Sequence, residues 1–386
     1  MTSLSALFHD TRTRHILLQA LLLTAVAGGV GWLVHNTASN LDERGITGGF
    51  GFLERAARFP IAESIINYRP TDSFGWAFLV GLGNTLFLAV TVALTATFLG
   101  LGVALARRSA HPLTSGAATA YVEAMRNTPL VVQLLFWYAL LTLGLPNIHA
   151  AFMPLDGVIL ADRGLYLPRP VIMGDKGPFL VSLLLGLAGA LAAWRYGRMQ
   201  RLRTGISNHY GRIGLVSALL LAGLAWVSSG LSLVLDRPVI GRFNPTGGIG
   251  LSPEFTAVFA GLLLYSAAFI GEIIRGGIDA VDKGQWEAGR AVGLTERTIL
   301  RLIIVPQALR VIIPPMTSQY INITKNTTLA LAVGYPDIAL VAATTINQTG
   351  QAVEGILILM LVFLTISITA SLFMNWYNRR IALVTR

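Results

Sequence analysis

Residues 279–306 read DAVDKGQWEAGRAVGLTERTILRLIIVP. They form the long polar interval of the C-terminal third, set between strongly apolar segments. Asp279, Asp282, Lys283, Glu287 and Arg290 occupy the first half, and Thr295, Glu296, Arg297 and Arg301 the second. Ala288, Ala291, Val292 and Leu294 recur every three or four residues, which predicts an amphipathic helix. Gly293 interrupts it, and Thr295 is placed to cap a second short helix. Two short helices bent at a glycine and held between membrane spans make a rigid knob outside the bilayer. Such a knob is suited to being gripped by a partner.

Composition sets the environment. Of 386 residues, 54% are hydrophobic and only 12% charged, about half the charge of a soluble domain; mean hydropathy is +0.64. The chain is expected to be an integral membrane protein. Its formal net charge of +10 reads as arginines that fix orientation in cytoplasmic loops, and not as a nucleic-acid footprint. With Cys 0 there are no disulfides, thiol chemistry or cysteine-ligated metals. The 6 histidines lack metal-ligand spacing, so no metal site is expected. Arg12 and Arg14 precede an apolar run without a clear cleavage site, which reads as a retained anchor.

A span needs about 20 apolar residues. Candidates lie at 16–34, 76–106, 117–145, 179–194, 213–235, 255–274, 311–333 and 356–376, about eight in all. Between the first two, 50–66 is patterned as an interfacial helix. The regions 146–177 and 236–253 read as loops rich in glycine and proline. Arginines crowd the turns after Ala106 and Trp194, the 279–306 interval and the C-terminus. Placing all of these, and both termini, in the cytoplasm satisfies the positive-inside rule.

Charged groups inside spans each cost about 2.5–3.5 kcal/mol at a helix centre, so they carry information. Glu123 and Arg126 lie three apart and are expected to form a structural ion pair on one helix face. Gln133 lies two turns beyond Arg126. Glu272 and Arg275 end one span, and Lys325, Asn326 and Thr327 interrupt another. A zwitterion needs an acid for its ammonium and a cation or donors for its carboxylate. Gln133, Glu272, Lys325, Asn326 and Thr327 could supply both.

Glu287-Ala288-Gly289, three residues, Gly293, nine residues and then Ile303-Ile304-Val305-Pro306 resembles the EAA loop of ABC importer permeases. Gly289 stands for the second alanine and Val305 for leucine. The run Glu123 to Gln133 resembles the E-x-x-R-G/N-T-P-L-L-V-Q of polar amino-acid permeases. The runs from Ala268 to Ile278 and from Lys325 to Leu329 are similar to two further signatures of that family. Coverage runs from about Trp76 to the C-terminus, apart from 146–253. The longer permeases of general L-amino-acid uptake systems share that layout.

The resemblance implies an all-α integral membrane protein: a type I importer core of five helices, an extra N-terminal helix and an inserted helix pair. The domains are then 1–75 (anchor and periplasmic segment), 76–145 (first core part), 146–253 (insert) and 254–386 (second core part). It also implies an L-amino-acid permease of the bacterial inner membrane that is not itself an enzyme. A homologous sister permease and a periplasmic amino-acid-binding protein would be its partners. A dimer of ABC ATPase subunits would hold ATP and Mg²⁺, and this chain has no Gly-x-x-x-x-Gly-Lys-Ser/Thr loop of its own. Glu287, Ala288, Gly289, Arg290, Gly293, Leu294 and Arg297 would carry the coupling. An ion-coupled secondary transporter is the alternative; it typically has repeated halves with broken helices, and no second copy of the Glu272 or Lys325 segments occurs.

The orientation has a direct test, because the chain has no cysteine of its own. In single variants, an impermeant thiol reagent added from outside is expected to label Leu155→Cys and to spare Ser207→Cys. The opposite pattern would invert the topology.

Overall fold

The computed structural model describes residues 11–43, 48–205, 209–242 and 245–381; Ser207 lies outside them. Among the described residues, seven helices are long and apolar enough to cross a membrane, and an eighth apolar helix, Leu130–Leu143, is shorter. The chain divides into two compact units, one of residues 1–137 and 257–386 and the other of residues 138–256.

The first unit begins with α1 (Thr11–Glu43), whose described side chains are all exposed. The patterned piece expected as an interfacial helix is instead one 3₁₀ turn, Phe50–Glu54, followed by irregular chain. Aromatic side chains decide this. Phe52 and Phe59 pack around Phe74, with centroids 5.9 and 6.1 Å away, and a two-residue bridge joins Ala56 to Ser73.

Helix α2 (Phe74–Arg107) opens on Ser73, whose hydroxyl accepts from the Trp76 amide. One face is buried through Ala77, Gly81, Leu88, Val92 and Ala96. The opposite side exposes Leu79, Leu86, Val90, Leu94 and Phe98, the arrangement a lipid-facing helix requires. The expected third span is two helices, α3 (Pro112–Asn127) and α4 (Leu130–Leu143). Pro129 causes the break by pushing Thr128 into extended backbone, φ −102° and ψ 130°.

In the second unit, the regions 146–177 and 236–253, expected as loops, contain short strands. Strands β1 (Phe152–Leu155), β2 (Val158–Ala161) and β3 (Gly164–Leu167) form an antiparallel sheet closed by β8 (Ile249–Leu251). β4 (Arg169–Met173) pairs with β5 (Ser232–Asp236), Val171 opposite Val234. Between those two strands run α5 (Gly177–Thr204) and α6 (Tyr210–Ser228), so the strand pair continues the helix pair. The two helices touch through small residues: a Cβ on Gly186 would stand 3.0 Å from the Ala218 Cβ. The expected span to Leu235 stops at Ser228, because Gly230 turns the chain (φ +61°) and the apolar residues then alternate as in a strand. A short pair, β6 (Val239–Ile240) with β7 (Pro245–Thr246), completes the unit.

α7 (Pro253–Asp279) leads back into the first unit. The knob follows as α8 (Lys283–Ala291) and α9 (Glu296–Ile299). A π turn, Leu300–Ile304, joins it to α10 (Val305–Asn326), which runs on into a 3₁₀ turn, Thr327–Val333. The chain then reverses into α11 (Ile338–Thr349), a helix of 12 residues absent from the sequence reading and too short to span a bilayer. α12 (Ala352–Ile381) closes the described chain.

α11 packs on α2 at Gly81, where a Cβ would stand 3.0 Å from the Ile338 Cα and the Val341 side chain. Gly81→Val is therefore expected to cost about 1–3 kcal/mol by overpacking. The readout is the thermal midpoint of detergent-extracted protein. The control Gly102→Val, with open space on the same helix, should keep the parental midpoint.

Candidate functional site

The knob is built by local rules. The Asp282 carboxylate caps α8 by accepting from the Gly284 amide at 2.7 Å. Gly293 adopts φ +77°, a left-handed conformation that costs other residues about 1–2 kcal/mol. Its amide and that of Leu294 donate to the Arg290 and Gly289 carbonyls, which closes α8. The Thr295 hydroxyl then caps α9, and the Arg290 guanidinium donates to Glu296 at 2.6 Å across the bend.

Gly289 is buried, and a Cβ there would meet the Ile299 side chain at 2.8 Å. The glycine at this EAA position thus lets the two short helices touch. Glu287, Ala288, Arg290, Gly293, Leu294 and Arg297 are exposed, and Val292 presents 74% of its surface. All seven residues expected to couple lie on this knob. A cavity of about 330 Å³ lined by Arg108, Lys283, Trp286, Glu287 and Arg290 lies at its side.

Next to the knob is an ionic cluster built on Glu272 and Asp279. Glu272, Arg275 and Asp279 share one face of α7 at helical spacing. Glu272 receives Arg107 from α2 and Arg275 from α7 at 3.0 Å, and Arg126 from α3 stands 3.7 Å away. Asp279 receives Arg108 and, at 2.8 Å, Arg275. Two carboxylates thereby tie three helices together.

This corrects two expectations. Arg126 does not pair with Glu123; it lies over the Phe269 ring at 5.3 Å and near Glu272, while Glu123 accepts from the Asn127 amide group at 3.1 Å. Glu272 is not an open acid for an ammonium group, because arginines already surround it. The doubled arginine at 107–108 was the available signal, since it ends a span at the same side as the acids of α7.

Nor does the structure bring Glu272 and Lys325 together. Glu272 lies seven residues before the knob-side end of α7, and Lys325 lies twenty residues beyond the knob-side start of α10. At 1.5 Å per residue they sit roughly 10 and 30 Å from those ends. Gln133 is buried and donates to the Met125 and Thr128 carbonyls at 2.9 and 3.0 Å, patching the α3–α4 break; its Oε1 has no partner. The buried Thr327 hydroxyl donates to the Thr324 carbonyl. Lys325 is exposed and Asn326 half-buried.

A second buried polar group surrounds the reversal before α11. The Asn84 side chain donates to the Glu63 and Pro336 carbonyls, both at 2.8 Å, and accepts from the Ile65 amide. The Thr85 hydroxyl accepts from the Ile338 amide. Asp337 caps α11 by accepting from Leu340 at 2.9 Å, and its Oδ2 has no partner.

The model of the family described as binding-protein-dependent transport system inner membrane component matches residues 96–383. The chain belongs to this family. In such transport systems ATP is hydrolysed by a separate subunit, and a binding protein is a further partner. The chain is 44% identical over 383 residues to the putative amino-acid ABC transporter permease protein YhdX of Escherichia coli, covering 98% of this chain and 97% of that one. It is 41% identical over 388 residues to the general L-amino acid transport system permease protein AapQ of Rhizobium johnstonii, covering 100% and 96%. A crystal structure of an amino acid ABC transporter with histidines is similar with TM-score 0.48 and 21% identity, over 80% of this chain and 95% of that one. As a member of the family, this chain is a multi-pass membrane protein.

The ionic cluster is testable. Glu272 and Arg107 side chains are 21% and 15% exposed, between a surface pair worth under about 1 kcal/mol and a buried one whose rupture costs about 3–5. Glu272→Gln is expected to destabilise by about 1–3 kcal/mol. Combining it with Arg107→Gln should cost less than the sum of the two single changes. Strict additivity of the thermal-stability changes would mean that the two groups are not coupled.

Proposed function

We propose that the protein is the permease subunit of an ATP-binding-cassette importer that carries L-amino acids across the bacterial inner membrane. Near-full-length similarity to two chains named as amino-acid permeases supports the substrate class. The observation that carries the mechanism is the exposed two-helix knob, continuous through a π turn with α10. In this reading a dimer of ABC ATPase subunits, holding ATP and Mg²⁺, grips Glu287 to Arg297. A sister permease completes the pathway as a heterodimer, and a periplasmic amino-acid-binding protein delivers substrate. The knob and both termini face the cytoplasm.

ATP binding and the loaded receptor each favour one state of the pathway, and the difference in their affinities for the two states drives the transition. Of the five residues expected to meet substrate, Lys325 and Asn326 keep side-chain donors that no hydrogen bond or ion pair engages among the described residues. They are the pair we retain, for the carboxylate of the amino acid. Thr327 and Gln133 are engaged with backbone carbonyls, and Glu272 belongs to the ionic cluster.

Gly293→Asp tests the coupling role. The side chain meets open space, so insertion into the membrane should be unaffected, while the bend is strained. The expected outcome is reduced co-purification of the ATPase, or receptor-stimulated ATP hydrolysis in liposomes without uptake. Parental values for both would remove the knob from the mechanism.

A further inference from the structure

The helix pair of the second unit ends in a feature that the transport reading does not use. At the connected ends of α5 and α6, Trp194, Gly197, Arg198 and Arg201 face His209, Gly211 and Arg212 around a cavity of about 430 Å³. Glycine makes the room: a Cβ on Gly211 would stand 2.9 Å from the Trp194 ring. That ring in turn lies under the Arg198 guanidinium, 5.7 Å from its centroid. Tyr196 and Tyr210 stack edge to face at 5.8 Å beside it.

No Asp or Glu occurs anywhere from Gly177 to Leu235, so the three guanidinium groups face no acid of their own hairpin. A rule of orientation explains why arginines collect at one end of a span pair. It does not explain why three of them converge on one cavity with an indole at its wall. The flanks are exposed and apolar: Met199 54%, Leu202 79%, Ile213 61% and Leu215 50%. A cationic cavity flanked by apolar surface at the end of a membrane hairpin fits a phosphate that carries acyl chains.

We propose that this cavity binds the phosphate of an anionic phospholipid, with Arg198, Arg201 and Arg212 contacting the headgroup and the neighbouring apolar side chains meeting its chains. An inorganic phosphate shares the headgroup chemistry but would gain nothing from that apolar flank. An acidic protein surface would leave it uncovered.

The full chain, purified with its transporter partners, is exchanged into phosphatidylcholine supplemented with phosphatidylglycerol, and retained lipid is read by native mass spectrometry. The parental protein is expected to retain phosphatidylglycerol over phosphatidylcholine. The triple variant Arg198→Gln/Arg201→Gln/Arg212→Gln should lose about a hundred-fold of that preference, the scale of three basic groups at an anionic surface. Arg195→Gln/Arg203→Gln, basic positions that do not line the cavity, should keep it.

Equal loss in both variants would mean diffuse charge and overturn the site. So would equal retention of the two lipids by the parental protein. Displacement of phosphatidylglycerol by inorganic phosphate at comparable concentration would assign the cavity to the free anion. Unchanged lipid retention in the triple variant with loss of a protein partner would assign it to a protein contact. Should the triple variant fail to insert, Arg198→Gln and Arg212→Gln singly read the same preference.

Discussion

Inside a bilayer no backbone N–H or C=O can turn to water, so each break in a membrane helix must be paired within the protein. The breaks in this chain follow that constraint. At Thr128–Pro129 the freed carbonyls are met by the Gln133 amide. At the reversal after Val333, Asn84 and Thr85 of α2 engage Pro336 and Ile338, and Asp337 caps the helix that follows. Polar side chains within the apolar segments are thus explained first as repairs to the backbone.

Charge follows a similar economy. Along the sequence Glu272 and Asp279 have only Arg275 between them, yet in space they are outnumbered by Arg107, Arg108, Arg126 and Arg275. The excess of positive charge remains next to the knob, where Arg108, Lys283 and Arg290 line one cavity. The ends of α2, α3 and α7 are joined electrostatically there, while at the other end of α2 the buried polar contacts are the neutral hydrogen bonds of Asn84 and Thr85.

Much of this was legible in the sequence, and the misses have physical causes. The knob could be read because its caps, glycine bend and helical spacing are local. So could the long helices, which need only length and hydropathy. The strands of the second unit were hidden because each is only two to five residues long, too short for alternation to stand out among glycines and prolines. α11 was missed because it is short and follows the loop of Tyr335 and Asp337, and its burial comes from long-range packing of Ile338, Val341 and Ala342 on Phe74, Ala77 and Phe78. Glu272 was misread because an acid in a span has two explanations, cargo or counter-ion, and the deciding arginines lie on other helices.

The continuity from the knob into α10 has a mechanical meaning. From Glu296 to Val333 the chain is one helical path of 38 residues, roughly 57 Å at α-helical rise. Its first turn stands largely in the open, while Ala330 and Val333 at the far end are buried. Ile299, Ile304, Ala308 and Ile312 seat it along its length, so that Glu296 and Arg297 at its start are the part left in the open. The π turn at Leu300–Ile304 and the adjacent Pro314 and Pro315 loosen its hydrogen-bond ladder at two stations. A sideways push on that exposed start would be taken up at those two joints before it reached Gly334.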